Sequence, residues 1–189
     1  MDLNGEFHIP ASRERVWQAL NDPEILRRAV PGCETLEKVS DTEFTAKVTL
    51  KIGPVKASFK GRVTLSDLDP PNSYSINGEG QGGVAGFARG GAKITLSDDG
   101  DGTHLRYEAT ATVGGKLAQV GQRMIAGVSQ KLAGQFFSAL GEAIVEAGAE
   151  ADETPPTEPE EAPVPGLNLW LWVGGVLALV AALLWFMQA

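Results

Sequence analysis

The sequence predicts an α+β fold: a curved antiparallel sheet around one long C-terminal helix, followed by a linker and an apolar tail. Three observations carry that expectation. Period-two alternation runs through several segments between residues 44 and 113, each bounded by Gly, Pro, Asn or Asp. Residues 117–147 then contain no proline and bring an apolar side chain round every fourth place. Strands come first and the long helix last, without the strand–helix–strand alternation of a parallel sheet.

Residues 2–9 read as a short strand. Pro10 follows, and Ser12 is placed to cap a helix over residues 12–20, its hydroxyl accepting from a first-turn backbone N–H. Asn21, Asp22 and Pro23 stop that helix, and residues 24–30 form a second one ended by Pro31 and Gly32. Phe44, Ala46, Val48, Leu50 and Ile52 alternate with Thr45, Lys47, Thr49 and Lys51. After the Gly53–Pro54 turn, Val55, Ala57, Phe59, Gly61, Val63 and Leu65 alternate with Lys56, Ser58, Lys60, Arg62 and Thr64. The two runs make a hairpin. Residues 74–81, 91–96 and 103–113 supply three more strands. The helix over 117–147 carries Val120, Met124, Val128, Leu132, Phe136, Leu140 and Ile144 as its expected apolar stripe.

The charge is unevenly distributed. The chain of 189 residues has a formal charge of −8 from 24 acids and 16 bases, yet the first 149 residues hold all 16 bases and 18 of the acids. Six acids (Glu150, Asp152, Glu153, Glu158, Glu160 and Glu161) fall together, and nothing after Glu161 is charged. A near-neutral domain of this kind is not a nucleic-acid binder driven by bulk charge. Residues 148–166 hold five prolines, the six acids and no aromatic, a composition that predicts a disordered spacer.

Residues 167–187 contain one polar side chain, Asn168, and no charge. As a helix they reach roughly 30 Å, the thickness of a bilayer's hydrocarbon. Trp170 and Trp172 stand near one end and Trp185 near the other, as interfacial aromatic belts require. A span here, with no secretion signal at the N-terminus, predicts a single-pass tail anchor in the cell membrane and a folded domain on the cytoplasmic side. Gly174, Ala178 and Ala182 at spacing four form a small-residue row along the span. The lone Cys33 allows no intramolecular disulfide, in keeping with a reducing compartment.

Two blocks, IPASRERVWQALNDPEILRRAVPGCE at residues 9–34 and GGKLAQVGQRMIAGVSQKLAGQFFSAL at residues 114–140, resemble the G-subunit family of carbon monoxide dehydrogenase, within the helix-grip (START-like) superfamily. The resemblance covers residues 1–147. It implies a helix-grip domain around an apolar cavity. It also implies an accessory role, bringing a cytoplasmic molybdenum hydroxylase of the carbon monoxide dehydrogenase type to the membrane.

Small residues mark the inward strand positions: Ala46, Ala57, Gly61, Gly78, Gly80, Ala92, Ala109 and Ala111. The helix opposite carries Gly121, Gly127, Gly134 and Gly141. An interior helical glycine costs about 1 kcal/mol relative to alanine, so four of them need a reason. Either the helix lies close on the sheet, or the space is kept for a ligand. The superfamily resemblance favours a pocket, walled by Leu50, Phe59, Tyr107, Met124, Phe136 and Phe137. A membrane-soluble molecule suits such a site, and with an oxidoreductase as partner the expected ligand is a respiratory quinone, menaquinone or ubiquinone.

Other chemistry is excluded. Gly78, Gly80 and Gly83 match a dinucleotide fingerprint as a string, but further glycines follow where that motif needs a helix. His8 and His104 lack companions at metal-ligand spacing, and neither belongs to a nucleophile–base pair. Asp98, Asp99 and Asp101 read as a solvated turn rather than a calcium loop. Lys47, Lys51, Lys56, Lys60, Arg62, Lys93 and Arg106 line the outward strand faces, diluted by Glu43, Glu79 and Glu108. They form a solvated face or a dock for acidic surfaces or headgroups. Arg27 and Arg28 are placed beside a pocket mouth. The expectation is a carrier and recruitment protein without catalysis; the competing class is a helix-grip enzyme or lipid-transfer protein acting on a hydrophobic small molecule.

Overall fold

A computed structural model describes residues 1–152, and Met1–Asp152 form one compact unit. The expected linker from residue 153 onward and the expected span at 167–187 lie outside the described residues. Among those described, no helix is long and apolar enough to cross a membrane.

Seven strands form one antiparallel sheet: β1 (Asp2–Ile9), β2 (Cys33–Ser40), β3 (Glu43–Ile52), β4 (Val55–Asp69), β5 (Ser73–Gln81), β6 (Phe87–Asp99) and β7 (Gly102–Gly114). Their spatial order is β1-β7-β6-β5-β4-β3-β2, so only the first strand leaves sequence order, pairing with the last. Between β1 and β2 the chain makes α1 (Arg13–Ala19) and α2 (Pro23–Ala29), which carry it from one sheet edge to the other. After β7 come α3 (Lys116–Val120) and α4 (Gln122–Asp152), and α4 packs against α2, α1, β1 and β3.

Local chemistry explains the helix starts. Ser12 caps α1, its hydroxyl accepting from the Arg15 N–H. Asp22, read in the sequence only as part of a stop signal, caps α2 by accepting from Glu24 and Ile25, with Pro23 at the first turn where no N–H is required. The β3–β4 hairpin has the expected faces: Phe44 pairs with Val63, Ala46 with Gly61 and Ile52 with Val55 across the Gly53–Pro54 turn.

Three features depart from expectation. Cys33–Ser40 forms an edge strand where the sequence predicts no element, because it exposes six of its eight residues and so carries no alternation. The C-terminal helix is two helices: Gly121 takes a φ of +96°, which an L side chain rarely adopts, and breaks α3 from α4. The second piece runs on to Asp152. Finally, the stripe drifts. A step of four residues overshoots a turn by roughly 40°, so Met124 lies roughly 160° round the axis from Leu140. Leu140 and Ile144 are buried, whereas Met124 is 48% exposed and Ile125 is buried in its stead.

The core is densest where β1, β6 and β7 meet α1 and the second half of α4. Ile9, Val16, Leu105 and Leu140 are fully buried there. Polar clamps hold that region. The buried Thr103 hydroxyl donates to the Ala11 carbonyl at 2.7 Å, and the Arg15 guanidinium donates to the Ile144 carbonyl at 2.9 Å. A smaller cluster of Phe59, Ala85 and Leu117 occupies the other end of the sheet.

Candidate ligand cavity

Two adjoining cavities open between the sheet, α2 and α4. The inner one, about 360 Å³, is lined by Leu26 and Val30 from α2 and its end, Phe44, Ala46, Val48 and Gly61 from the hairpin, Tyr74, Ile76 and Ile94 from β5 and β6, and Phe136 and Phe137 from α4. The outer one, about 310 Å³, shares Val30, Val48, Ile94, Phe136 and Phe137 and adds Pro31, Leu50, Tyr107, Leu132 and Ala133. Each lies near the lower end of the roughly 300–1,000 Å³ usual for small-molecule sites.

No lining side chain is charged, and the tyrosines supply the only polar side-chain groups. The two differ. Tyr107 lies in an aromatic stack with Phe7 and Phe137, at centroid distances of 6.3 and 6.0 Å. Its ring crosses Gly5 so closely that a Cβ there would meet Tyr107 Cε1 at 2.7 Å, which explains the glycine in β1. Burial raises its phenol pKa. Tyr74 is 4% exposed, meets Trp17 edge-on and lines the inner cavity, and its hydroxyl has no hydrogen-bond partner among the described residues. Desolvation pushes that phenol far above its ordinary range, so it remains a neutral donor.

Of the six walls expected from sequence, Leu50, Tyr107, Phe136 and Phe137 line the cavities. Phe59 does not: it closes the separate cluster with Ala85 and Leu117. Met124 sits against the Gly53 turn instead, its sulfur 2.6 Å from where a Gly53 Cβ would lie. The small residues divide likewise. Ala46 and Gly61 line the inner cavity, whereas Gly78, Gly80, Ala92, Ala109 and Ala111 line neither, and Ala57 packs in the smaller cluster. None of the four helix glycines lines either cavity; the wall from α4 is Leu132, Ala133, Phe136 and Phe137. Sequence reasoning passes over Tyr74 and Ile76, although the alternation that turns Gly78 and Gly80 inward also turns them. Ile94 depends on cross-strand pairing with Tyr74, which no single segment displays.

On α2, Arg28 pairs with Glu146 and ties the helix to α4, and Arg27 pairs with Glu24 at 3.5 Å; neither arginine lines a cavity. Cys33, partly exposed beside Pro31 and Gly32, has its thiol pKa raised chiefly by burial, with Arg27 opposing, so it is not an activated nucleophile. Among the described residues no three His, Cys, Asp or Glu side chains gather into a metal-binding group.

A sheet that grips a C-terminal helix defines the helix-grip fold, and solved structures share it. A Geobacillus kaustophilus protein matches with a TM-score of 0.73 and 32% identity over 78% of this chain and 97% of its own. A Thermus thermophilus protein matches at 0.60 and 18%, over 78% and 99%, and Ara h 8.0201 at 0.55 and 17%, over 77% and 98%; these two establish the fold alone. No curated protein matches. The chain belongs to the carbon monoxide dehydrogenase G-subunit (CoxG) family, which matches residues 5–145.

Proposed function

We propose that this protein is a membrane-anchored carrier that binds a respiratory quinone and brings a molybdenum hydroxylase of the carbon monoxide dehydrogenase type to the membrane, linking that enzyme to the respiratory chain. Membership of the CoxG family supports the partner class. The observation that carries the ligand reading is a pair of adjoining cavities walled by aliphatic and aromatic side chains, with Tyr74 on the inner wall and Tyr107 on the outer as their only polar side chains. A quinone suits that lining: a flat apolar ring for Phe136 and Phe137, an apolar tail for Val30, Leu50 and Leu132, and a carbonyl oxygen to accept from Tyr74. When bound, the quinone supplies two-electron acceptor chemistry. The chain's own residues bind it, orient it and keep water from its ring.

Among the described residues, no acid–base pair and no activated nucleophile lines either cavity.

Purified full-length protein is expected to carry quinone extractable into hexane and seen by mass spectrometry, and to rebind menaquinone-4. Tyr74→Phe, which keeps the ring and its packing, is expected to weaken rebinding by about 5- to 10-fold, the effect of one hydrogen bond. Quinone-free protein that also fails to rebind menaquinone-4 overturns the ligand reading. Fractionation with and without residues 167–189 tests recruitment: a partner hydroxylase that remains membrane-bound after that deletion overturns it.

A further inference from the structure

Residues 44–66, 80–97 and 109–141 contain no Asp or Glu, yet hold ten of the sixteen Lys and Arg. Part of each stretch reaches the same end of the domain. There the β3–β4 turn lies against Met124 and Val120, and the 3₁₀ turn at Gly83–Ala85 lies against Gly114 and Gly115. Phe59, Ala85 and Leu117 pack beneath them.

Apolar groups project from this end. Val84, at the tip of the 3₁₀ turn, is 87% exposed, Met124 is 48% exposed, and Pro54 is exposed on the hairpin turn. Exposed Lys51, Lys56, Lys116 and Arg123 belong to the same turns and to the starts of α3 and α4, and none makes an ion pair among the described residues. Elsewhere Arg13, Arg27, Arg28, Lys47, Arg62 and Arg106 each pair with an acid, Arg15 donates to a backbone carbonyl, and Lys38 and Arg89 lie over aromatic rings.

We propose that this end of the domain is a second membrane contact, docking on an anionic lipid surface. Val84, Pro54 and Met124 enter among the headgroups, and Lys51, Lys56, Lys116 and Arg123 meet lipid phosphates. Charge complementarity alone would also suit an acidic protein. The apolar groups decide for lipid, because Val84 and Pro54 stand on separate turns and Met124 on the first turn of α4 beside one of them, an arrangement that inserts into a fluid interface and leaves gaps against a rigid surface. The contact belongs to the domain and requires neither a span nor a ligand.

Residues 1–152 suit the test, since they form one compact unit and the match to the Geobacillus kaustophilus structure takes in 97% of that chain. The measurement is sedimentation with large vesicles of phosphatidylcholine, with and without one quarter phosphatidylglycerol. Binding to the anionic vesicles is expected to be at least about tenfold tighter and to weaken with salt. Lys51→Glu with Lys56→Glu is expected to abolish about nine-tenths of it, and Val84→Asp to reduce it several-fold. Lys93→Glu, on the outer face of β6, changes net charge without touching this end and is expected to leave binding within about twofold. All four sites are exposed, and retained thermal melts confirm folding. Absence of vesicle binding, equal binding to both vesicles, or an equal loss from Lys93→Glu overturns the proposal. So does a Lys51- and Lys56-dependent complex with the purified partner hydroxylase in a protein that binds no vesicle.

Discussion

The two halves of the interior are built from the same kinds of side chain and end differently. Where β1, β6 and β7 meet α1 and the second half of α4, Ile9, Val16, Leu105 and Leu140 leave no accessible space. Across the sheet, beneath α2, equally apolar residues of β3, β4 and β5 surround a cavity of about 360 Å³. The difference lies in residue size at facing positions and in how the layers are clamped. The filled side is held by hydrogen bonds from Thr103 to Ala11 and from Arg15 to Ile144, which fix β7 and α4 against the chain leading into α1. On the cavity side Ala46 faces Gly61, and α2 is tied to α4 by the exposed Arg28–Glu146 pair. Apolar composition therefore sets which faces turn inward, and local bulk sets whether they meet.

The contrast can be broken at the filled side first. Leu105→Ala is expected to cost about 3–5 kcal/mol, because neither transfer energy nor contacts are recovered around a rigid void, and urea denaturation reads it directly. Thr103→Val removes the donor to Ala11 and leaves a buried carbonyl unanswered, an expected loss of about 1–3 kcal/mol by the same measurement. At the cavity, Ala46→Leu is expected to change stability by less than about 1 kcal/mol or to raise it, while sharply reducing menaquinone-4 binding. A well-filled wall would instead lose about 1–3 kcal/mol to overpacking.

The smallest effect is at an exposed ion pair between the start of β2 and β3. Hydrogen bonds from Lys47 and Thr49 hold Glu34 below its ordinary carboxylate value of 4.5. Its depressed pKa favours the fold above that value, and the contribution fades as pH falls through the folded-state pKa. An NMR titration is expected to place the Glu34 midpoint below 4.5, and Lys47→Ala to return it upward.

Much of this architecture is readable from residues alone. The β3–β4 hairpin follows from eleven inward positions in strict alternation and a Gly–Pro turn, and the Ser12 cap from a hydroxyl placed three residues before the N–H that it accepts from. The β2 strand is not readable, because it exposes six of its eight residues and turns only Leu36 to the core, so that no alternation is displayed. The cavity is legible in half of its outline. Leu50, Tyr107, Phe136 and Phe137 stand out by being large and apolar near small neighbours, and Phe59 and Met124 satisfy the same rule while pointing elsewhere. Tyr74 escapes notice because a tyrosine reads as core until its hydroxyl is seen to lack a partner.

The sequence by itself determined the class of fold, the two-faced strands, the Ser12 cap and the family, since all of these rest on periods and neighbours close along the chain. Only the tertiary structure decided that the helix breaks at Gly121, that its buried stripe passes from Leu140 to Ile125 rather than Met124, and that Tyr74 faces an apolar cavity. Those outcomes depend on how far one layer stands from another, a distance set by side chains remote in the chain and visible only once the sheet has closed around the helix.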